Sequence, residues 1–193
     1  MSQTLITPPT AYPVTRDECK LNSRVTLSAE DSLIDMWIAA AVQDAEHLMQ
    51  RAIMPQQWQL TLDAFPSDGG NVITLQRPTV TAVNSVKYFD ATTGTLTTLD
   101  SADYWVATDP WRTRLAPAYG KAWPSARVQM SAVQVLFTCG WATAADVPQL
   151  IKAWLWMRVG SYFENRAQWT MGKAIDTNPA IDGLLDRWRV PVV

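Results

Sequence analysis

The spacing of apolar residues changes twice along this chain, and the two changes limit the folds that it can adopt. From Ser28 to Met54 apolar side chains recur every three or four positions, as on one buried face of an α-helix. Across residues 57–145 the period becomes two, which is typical of half-buried strands. From Asp146 the helical spacing returns. This order predicts an α+β fold, a helical bundle with an inserted β-rich segment, and not alternating βαβ units.

The ends of the predicted helices are marked by capping residues and prolines. Ser28 can cap the first helix, and Pro55 ends it, because the residue before a proline avoids the helical conformation. A second helix, 146–166, is apolar on most of its sides, which indicates burial by more than one neighbour. A short third helix follows Asn178. We expect the two longer helices to pack together.

The β-rich segment contains six or seven short strands separated by turns. They are predicted at residues 58–62, 72–75, 81–89, 96–99, 104–106, 114–115 and 131–139. The resulting organisation is a proline-rich extended arm (1–15), a helical core (16–56 and 146–193) and a β-rich insertion (57–145).

Charge and composition exclude several classes of function. Sixteen Lys and Arg residues are balanced by eighteen Asp and Glu, and no run of basic residues occurs. A surface that binds nucleic acid or anionic membrane needs such a run or patch, so both partners are disfavoured. The first residues do not resemble a signal peptide, and no stretch predicts a membrane span, so we expect a cytoplasmic protein. Cys19 and Cys139 have no metal-ligand spacing; they are either a reduced pair or a single disulfide.

No catalytic constellation is visible. The single histidine, His47, lies on the polar side of the first predicted helix, and no nucleophile or orienting acid can be assigned to it. The acidic pair Glu30 and Asp31 consists of sequence neighbours, which do not face each other on a helix. We therefore predict that the chain is not an enzyme and needs no cofactor or metal.

Ten tryptophans are many for 193 residues. Tryptophan is favoured both in cores and at protein interfaces. Trp37, Trp58 and Trp154 lie on clear apolar stripes and are assigned to the core, whereas Trp156, Trp169 and Trp188 are candidates for an interface. An alternative is that Trp105, Trp111 and Trp123 give the β-rich segment a small-molecule or carbohydrate binding site.

Short motifs along the chain resemble those of the head–tail connector (head completion adaptor) proteins of tailed phages, in the longer branch with a β-rich insertion. They span about residues 16 to 190. The matching stretches are Asp17–Leu21, Ala45-Glu46 with Arg51, Trp58–Leu60 with Asp63 and Phe65-Pro66, Val83–Tyr88, Phe137–Trp141, Val147-Pro148, Tyr162–Arg166 and Leu184-Leu185.

This resemblance implies a structural subunit of a virion, or of a prophage, that assembles in the host cytoplasm. Such proteins form a ring, generally dodecameric, under the portal protein; the ring extends the DNA channel and docks a stopper or tail completion protein. DNA would pass through the channel without specific binding, and no membrane is involved.

The residues that we predict to take part in such assembly lie in the last third of the chain. They are Trp156, Glu164, Arg166, Trp169, Arg187, Trp188 and Arg189. The segment 174–193 is the predicted portal-docking piece, and we expect a chain truncated after Lys173 to stay folded but not to join a portal.

Overall fold

A computed structural model describes residues 2–26, 28–67, 70–164, 181 and 183–190. The α-helices in these ranges are α1 (Arg16–Ser23), α2 (Asp31–Met49) and α3 (Gln149–Glu164). The strands are β1 (Ser2–Thr7), β2 (Gln56–Leu62), β3 (Ile73–Leu75), β4 (Val80–Phe89), β5 (Leu96–Leu99), β6 (Tyr104–Thr108), β7 (Thr113–Pro117) and β8 (Val133–Cys139). Short 3-10 helices occupy Ser101–Asp103, Ala144–Asp146 and Gly183–Trp188. The predicted α+β class is confirmed.

The chain forms two compact units. The first, here called the sheet unit, consists of residues 1–9 and 55–141; the second, the helical unit, consists of residues 10–54 and 142–193. The boundary between the units falls after Pro9, so that residues 1–9 belong to the sheet unit and Thr10 belongs to the helical unit.

The sheet unit contains two antiparallel sheets. The larger has the strand order β1-β2-β8-β4-β5, and the smaller has the order β3-β7-β6. The central strand β8 buries Val133, Val135, Phe137 and Cys139 completely, which are the alternate residues that the period of two predicts.

The hairpin between β4 and β5 forms where the sequence predicts its tip. The Asp90 carboxylate accepts hydrogen bonds from the backbone N–H groups of Thr92 and Thr93, and Gly94 has a φ of 68°. A positive φ at this point is the reason that glycine occupies the turn.

The helical unit has a core shared by α2, α3 and the last 3-10 helix. From α2 it includes Ile34, Ile38, Ala41, Val42, Ala45 and Met49, and from α3 Ile151, Trp154, Leu155 and Val159. Leu185 of the 3-10 helix is completely buried. Helices α2 and α3 contact each other, and the predicted arrangement of the helices as a bundle stays a prediction.

The predicted bounds of the first helix are wrong at both ends. Helix α2 begins at Asp31, three residues after Ser28, and its N-cap residue Glu30 makes no side-chain cap. It ends at Met49, well before Pro55, because Gln50 adopts the left-handed conformation and the Arg51 N–H bonds back to the Glu46 carbonyl. The start of the predicted third helix at Asn178, like position 166 of the second, lies outside the described residues.

Two elements are absent from the sequence prediction. Helix α1 is one, and Thr15 caps it: the Thr15 hydroxyl accepts from the Glu18 N–H, and the Glu18 carboxylate accepts from the Thr15 N–H. Strand β1 is the other; the segment expected to be an arm pairs with β2 instead.

Candidate assembly surfaces

Helices α2 and α3 are tied together by a small polar cluster. The Arg158 guanidinium donates to the Asp44 carboxylate at 2.6 and 3.1 Å, and the Tyr162 hydroxyl lies 3.3 Å from the same carboxylate oxygen. A third of each charged side chain is exposed, so the pair contributes roughly 1 kcal/mol. Its main effect is to fix which faces of the two helices point inward.

Helix α1 is held to the start of α2 by charge. Arg16 bonds to both Asp31 and Asp35, and Lys20 lies 2.7 Å from Asp31. Hydrogen bonds from Lys20 lower the pKa of Asp31, and those from Arg16 lower the pKa of Asp35. Both carboxylates are therefore ion-paired within the chain.

Acid should weaken this attachment. Because the folded pKa values of Asp31 and Asp35 lie below their unfolded values, their contribution is present above about pH 4 and is lost as the pH falls through the folded values. The D31N/D35N variant should melt below the wild type at pH 7, and the difference should close in strong acid. Thermal denaturation followed by circular dichroism measures it; a gap that stays constant down to pH 2 would contradict the assignment.

An apolar stripe on α3 remains uncovered. Leu150 and Met157 are exposed by 44% and 40%, and they lie seven residues apart, on one face of the helix. Glu164, one further heptad along, is exposed at the end of the same stripe. The sequence signal for this surface is the all-round apolar character of the helix, which the helical unit covers only in part.

Helix α2 presents a second uncovered stripe. Met36 is 65% exposed, and Ser32, Ala40, Gln43 and His47 are exposed at the same three- and four-residue spacing. His47 is thus a surface residue of α2. The helical unit therefore carries two different partly apolar faces, one on α2 and one on α3.

Trp156 is half-buried on α3. Its carbonyl accepts a hydrogen bond of 3.1 Å from the Asn22 side chain of α1, and its indole N–H has no hydrogen-bond partner among the described residues. The next turn of α3 also approaches α1 closely: a Cβ added to Gly160 would lie 3.3 Å from the Asn22 amide. Arg166 and Trp169 lie outside the described residues.

The last 3-10 helix brings Arg187, Trp188 and Arg189 together. Both arginines are exposed, and Arg189 pairs with Asp186 at 3.1 Å. The Trp188 carbonyl accepts a hydrogen bond from the buried Arg51, and the Val190 N–H donates to the Met49 carbonyl. This segment is therefore anchored to the end of α2.

That anchoring changes the outcome expected for the truncated chain. A chain that ends at Lys173 loses the completely buried Leu185 and the hydrogen bond that Arg51 donates to Trp188. Burial lowers the pKa of Arg51, which shows that the guanidinium is poorly solvated where it lies. The expectation that such a chain stays folded is thus opposed by the packing, and substitutions of exposed residues are the better test of docking.

The three tryptophans of the alternative hypothesis have different environments. Trp105 on β6 is 62% exposed and Trp111 is 39% exposed. Trp123 stacks on Phe65 with ring centroids 4.9 Å apart and donates its N–H to the Asn71 carbonyl. Trp123 therefore has a structural role within the sheet unit, and the binding of a small molecule or carbohydrate by these residues stays a prediction.

Metal and membrane features give no further site. Within the described ranges, no cluster of three or more His, Cys, Asp or Glu side chains is arranged to hold a metal ion. Nor does any described helix have the length and apolar character of a membrane span. Cys19 and Cys139 are both buried and are not joined in a disulfide, so the reduced alternative is the one that the structure shows. Burial raises the pKa of the Cys19 thiol to about 12.

The chain matches no protein-family model and no curated protein sequence. Its fold, however, is similar to that of three chains in solved structures of gene transfer agent particles. One such chain comes from the neck of the empty gene transfer agent (GTA) particle, solved with C6 symmetry, with a TM-score of 0.80 and 22% identity. A second, from the virion of the native GTA particle, gives 0.82 and 23%, and a third, from the native neck solved with C12 symmetry, gives 0.73 and 19%. Each comparison covers 100% of this chain and 97% of the other.

The likeness extends over both units. At these identities it establishes the fold, and it confirms at that level the resemblance to head–tail connector proteins that the sequence motifs indicate.

Proposed function

We propose that this chain is a structural subunit of the neck of a phage-like particle, where it forms a ring under the portal and contributes to the DNA channel. The observation that carries the proposal is the end-to-end likeness of its fold to chains of GTA particles, two of them from necks that were solved with C6 or C12 symmetry. A non-enzymatic role agrees with the absence of a catalytic motif in the sequence.

The ring interface in this proposal joins the two uncovered stripes of the helical unit. A cyclic ring requires two different surfaces on each subunit, because its contacts are head-to-tail. The α3 stripe of one copy, with Leu150 and Met157, packs on the α2 face around Met36 of the next copy. Exposed apolar side chains of this kind mark protein-binding surfaces when they form a contiguous stripe.

Trp156 and Glu164 take part at the edges of this interface. Trp156, which is half-buried on α3, would be an apolar contact at the margin of this interface. Glu164 and Arg166 are candidates for charge pairs between subunits, and Trp169 for an apolar anchor. These assignments rest on the sequence positions and on the exposure of Glu164.

The charge of the chain suits a channel for DNA. A net charge of −2, without a basic run, gives no strong attraction to phosphate. DNA in transit would therefore not be held by the wall. The subunit is located in the virion after assembly in the host cytoplasm, and it needs no cofactor.

Assembly tests the proposal directly. Native mass spectrometry and negative-stain microscopy of the purified chain, alone and mixed with its cognate portal, should show closed rings of about twelve copies. A chain that stays monomeric at high concentration and also in the presence of the portal would overturn the proposal. A change in tryptophan fluorescence on adding mono- or oligosaccharides, without assembly, would favour the alternative binding module.

Portal docking is assigned to the 3-10 helix with Arg187, Trp188 and Arg189. We expect R187E/R189E to retain the fold, since both side chains are exposed, and to weaken portal binding at least tenfold by reversing the local charge. Biolayer interferometry against immobilised portal measures the affinity. The matched control is R112E/R114E, which reverses two exposed arginines in the sheet unit. Equal affinities of the two double variants for the portal would contradict the assignment of portal docking to this 3-10 helix.

A further inference from the structure

Strand β1 is attached to its sheet mainly through its backbone. It forms one edge of the five-stranded sheet, with Thr4 opposite Gln59 and Leu5 opposite Trp58. All its residues except Gln3 are exposed, and the successive residues Leu5 and Ile6 are exposed by 40% and 49%. Because successive side chains point to opposite faces of a sheet, β1 adds little to the core on either face.

No turn fixes β1 to the β2 strand of its own chain. Strands β4 and β5 are joined by residues 90–95 and β6 and β7 by residues 109–112, so chain connectivity dictates these pairs. Between β1 and β2 lie residues 8–55, which include α1 and α2. Closing so long a loop costs conformational entropy, and an identical β2 strand on a neighbouring copy offers the same hydrogen bonds and side-chain contacts.

The segment that follows β1 is compatible both with pairing to the β2 strand of its own chain and with pairing to that of a neighbouring copy. Pro8 and Pro9 lack an N–H and favour extended backbone, and residues 10–12 are exposed. The chain is buried again from Pro13 and Val14 onward. The five residues 8–12 span at most about 18 Å when extended, which limits how far away the accepting sheet can be.

We propose that β1 is exchanged between neighbouring copies when the chain assembles, so that β1 of one subunit completes the large sheet of the next. The inference rests on the proposed ring and adds a second contact to the helical interface. Exchange of an identical element requires no new complementarity, and around a closed ring it leaves no β2 edge unpaired.

Cysteine crosslinking distinguishes exchange from pairing within one chain. Thr4 and Gln59 are direct partners, and opposed Cα atoms in antiparallel strands lie about 4.5–5.5 Å apart, within disulfide range. After mild oxidation of T4C/Q59C in assembled rings, non-reducing electrophoresis should show a ladder of covalent oligomers. The native Cys19 and Cys139 are buried, so they leave the pattern unchanged.

The control pair is K87C/T98C in the β4–β5 hairpin. Lys87 and Thr98 are also direct partners, but their short connection allows only crosslinks within one chain. If assembled T4C/Q59C rings contain only crosslinks within single chains, the exchange is excluded, whereas the proposed ring is unaffected. If the unmodified chain forms no ring by native mass spectrometry, either alone at high concentration or with the portal, the proposed function fails, and the exchange fails with it.

Discussion

Replacing Met157 with glutamate should abolish ring assembly while the subunit stays folded. Met157 is 40% exposed in the single chain, so a charge there is solvated and has little effect on folding. In the proposed ring the same position is covered by the neighbouring α2. Covering the exposed 40% of the methionine is worth roughly 1 kcal/mol, and burial of a carboxylate in its place costs about 2 kcal/mol or more in addition. The association constant at each interface should therefore fall more than about 100-fold.

The matched control is M130E. Met130 is an exposed methionine of the sheet unit, at 87%, and lies outside the proposed helical interface. Sedimentation velocity and native mass spectrometry should find M157E as monomers and M130E as rings, with the same melting temperature for both. Rings of normal size from M157E would exclude the α3 stripe as the subunit interface.

Removing the last segment should destabilise the helical unit, and the loss of one buried side chain should be a large part of the effect. Leu185 is completely buried, so L185A should lower the free energy of unfolding by about 3 kcal/mol through lost burial and the cavity left behind. Truncation after Lys173 should cost more, because Arg51 also loses the Trp188 carbonyl that accepts its hydrogen bond.

Urea denaturation followed by tryptophan fluorescence measures both effects. The control is L184A, which truncates the half-buried neighbour of Leu185 and should cost clearly less. If the truncated chain and the wild type unfold at the same urea concentration, the packing of this segment against α2 and α3 is not a source of stability, and the segment is free to act as a detachable docking piece.

Strands β2 to β8 were predictable because each has a local signature. A period of two in Val133–Cys139 requires one buried face whichever strand lies beside it, and the Thr92–Gly94 turn marks its hairpin without reference to the rest of the chain. Helix ends were less predictable. Pro55 is a strong stop signal, yet the left-handed residue Gln50 ends α2 first, and no side-chain type at that position announces it.

Strand β1 could not be found from its own residues. Its sequence has no alternation that one buried face would impose, and its partner lies about fifty positions away, so only the paired β2 backbone makes it a strand. The same limitation applied to helix α1, whose Thr15 cap and acidic first turn are short signals that the proline-rich start obscures.

The sequence by itself determined the α+β class and the position of most strands, since these depend on local periodicity, and it indicated a connector-like chain through ordered short motifs. Only the tertiary structure decided which apolar residues remain uncovered. Val159 and Met157 are both apolar residues of α3, but Val159 is 1% exposed and Met157 is 40% exposed, because the elements that pack on α3, which are α1, α2 and the last 3-10 helix, cover Val159 and leave Met157 partly open. Assembly surfaces consist of the apolar residues that stay exposed after folding. A periodic sequence pattern does not show which of its apolar residues the folded chain will bury.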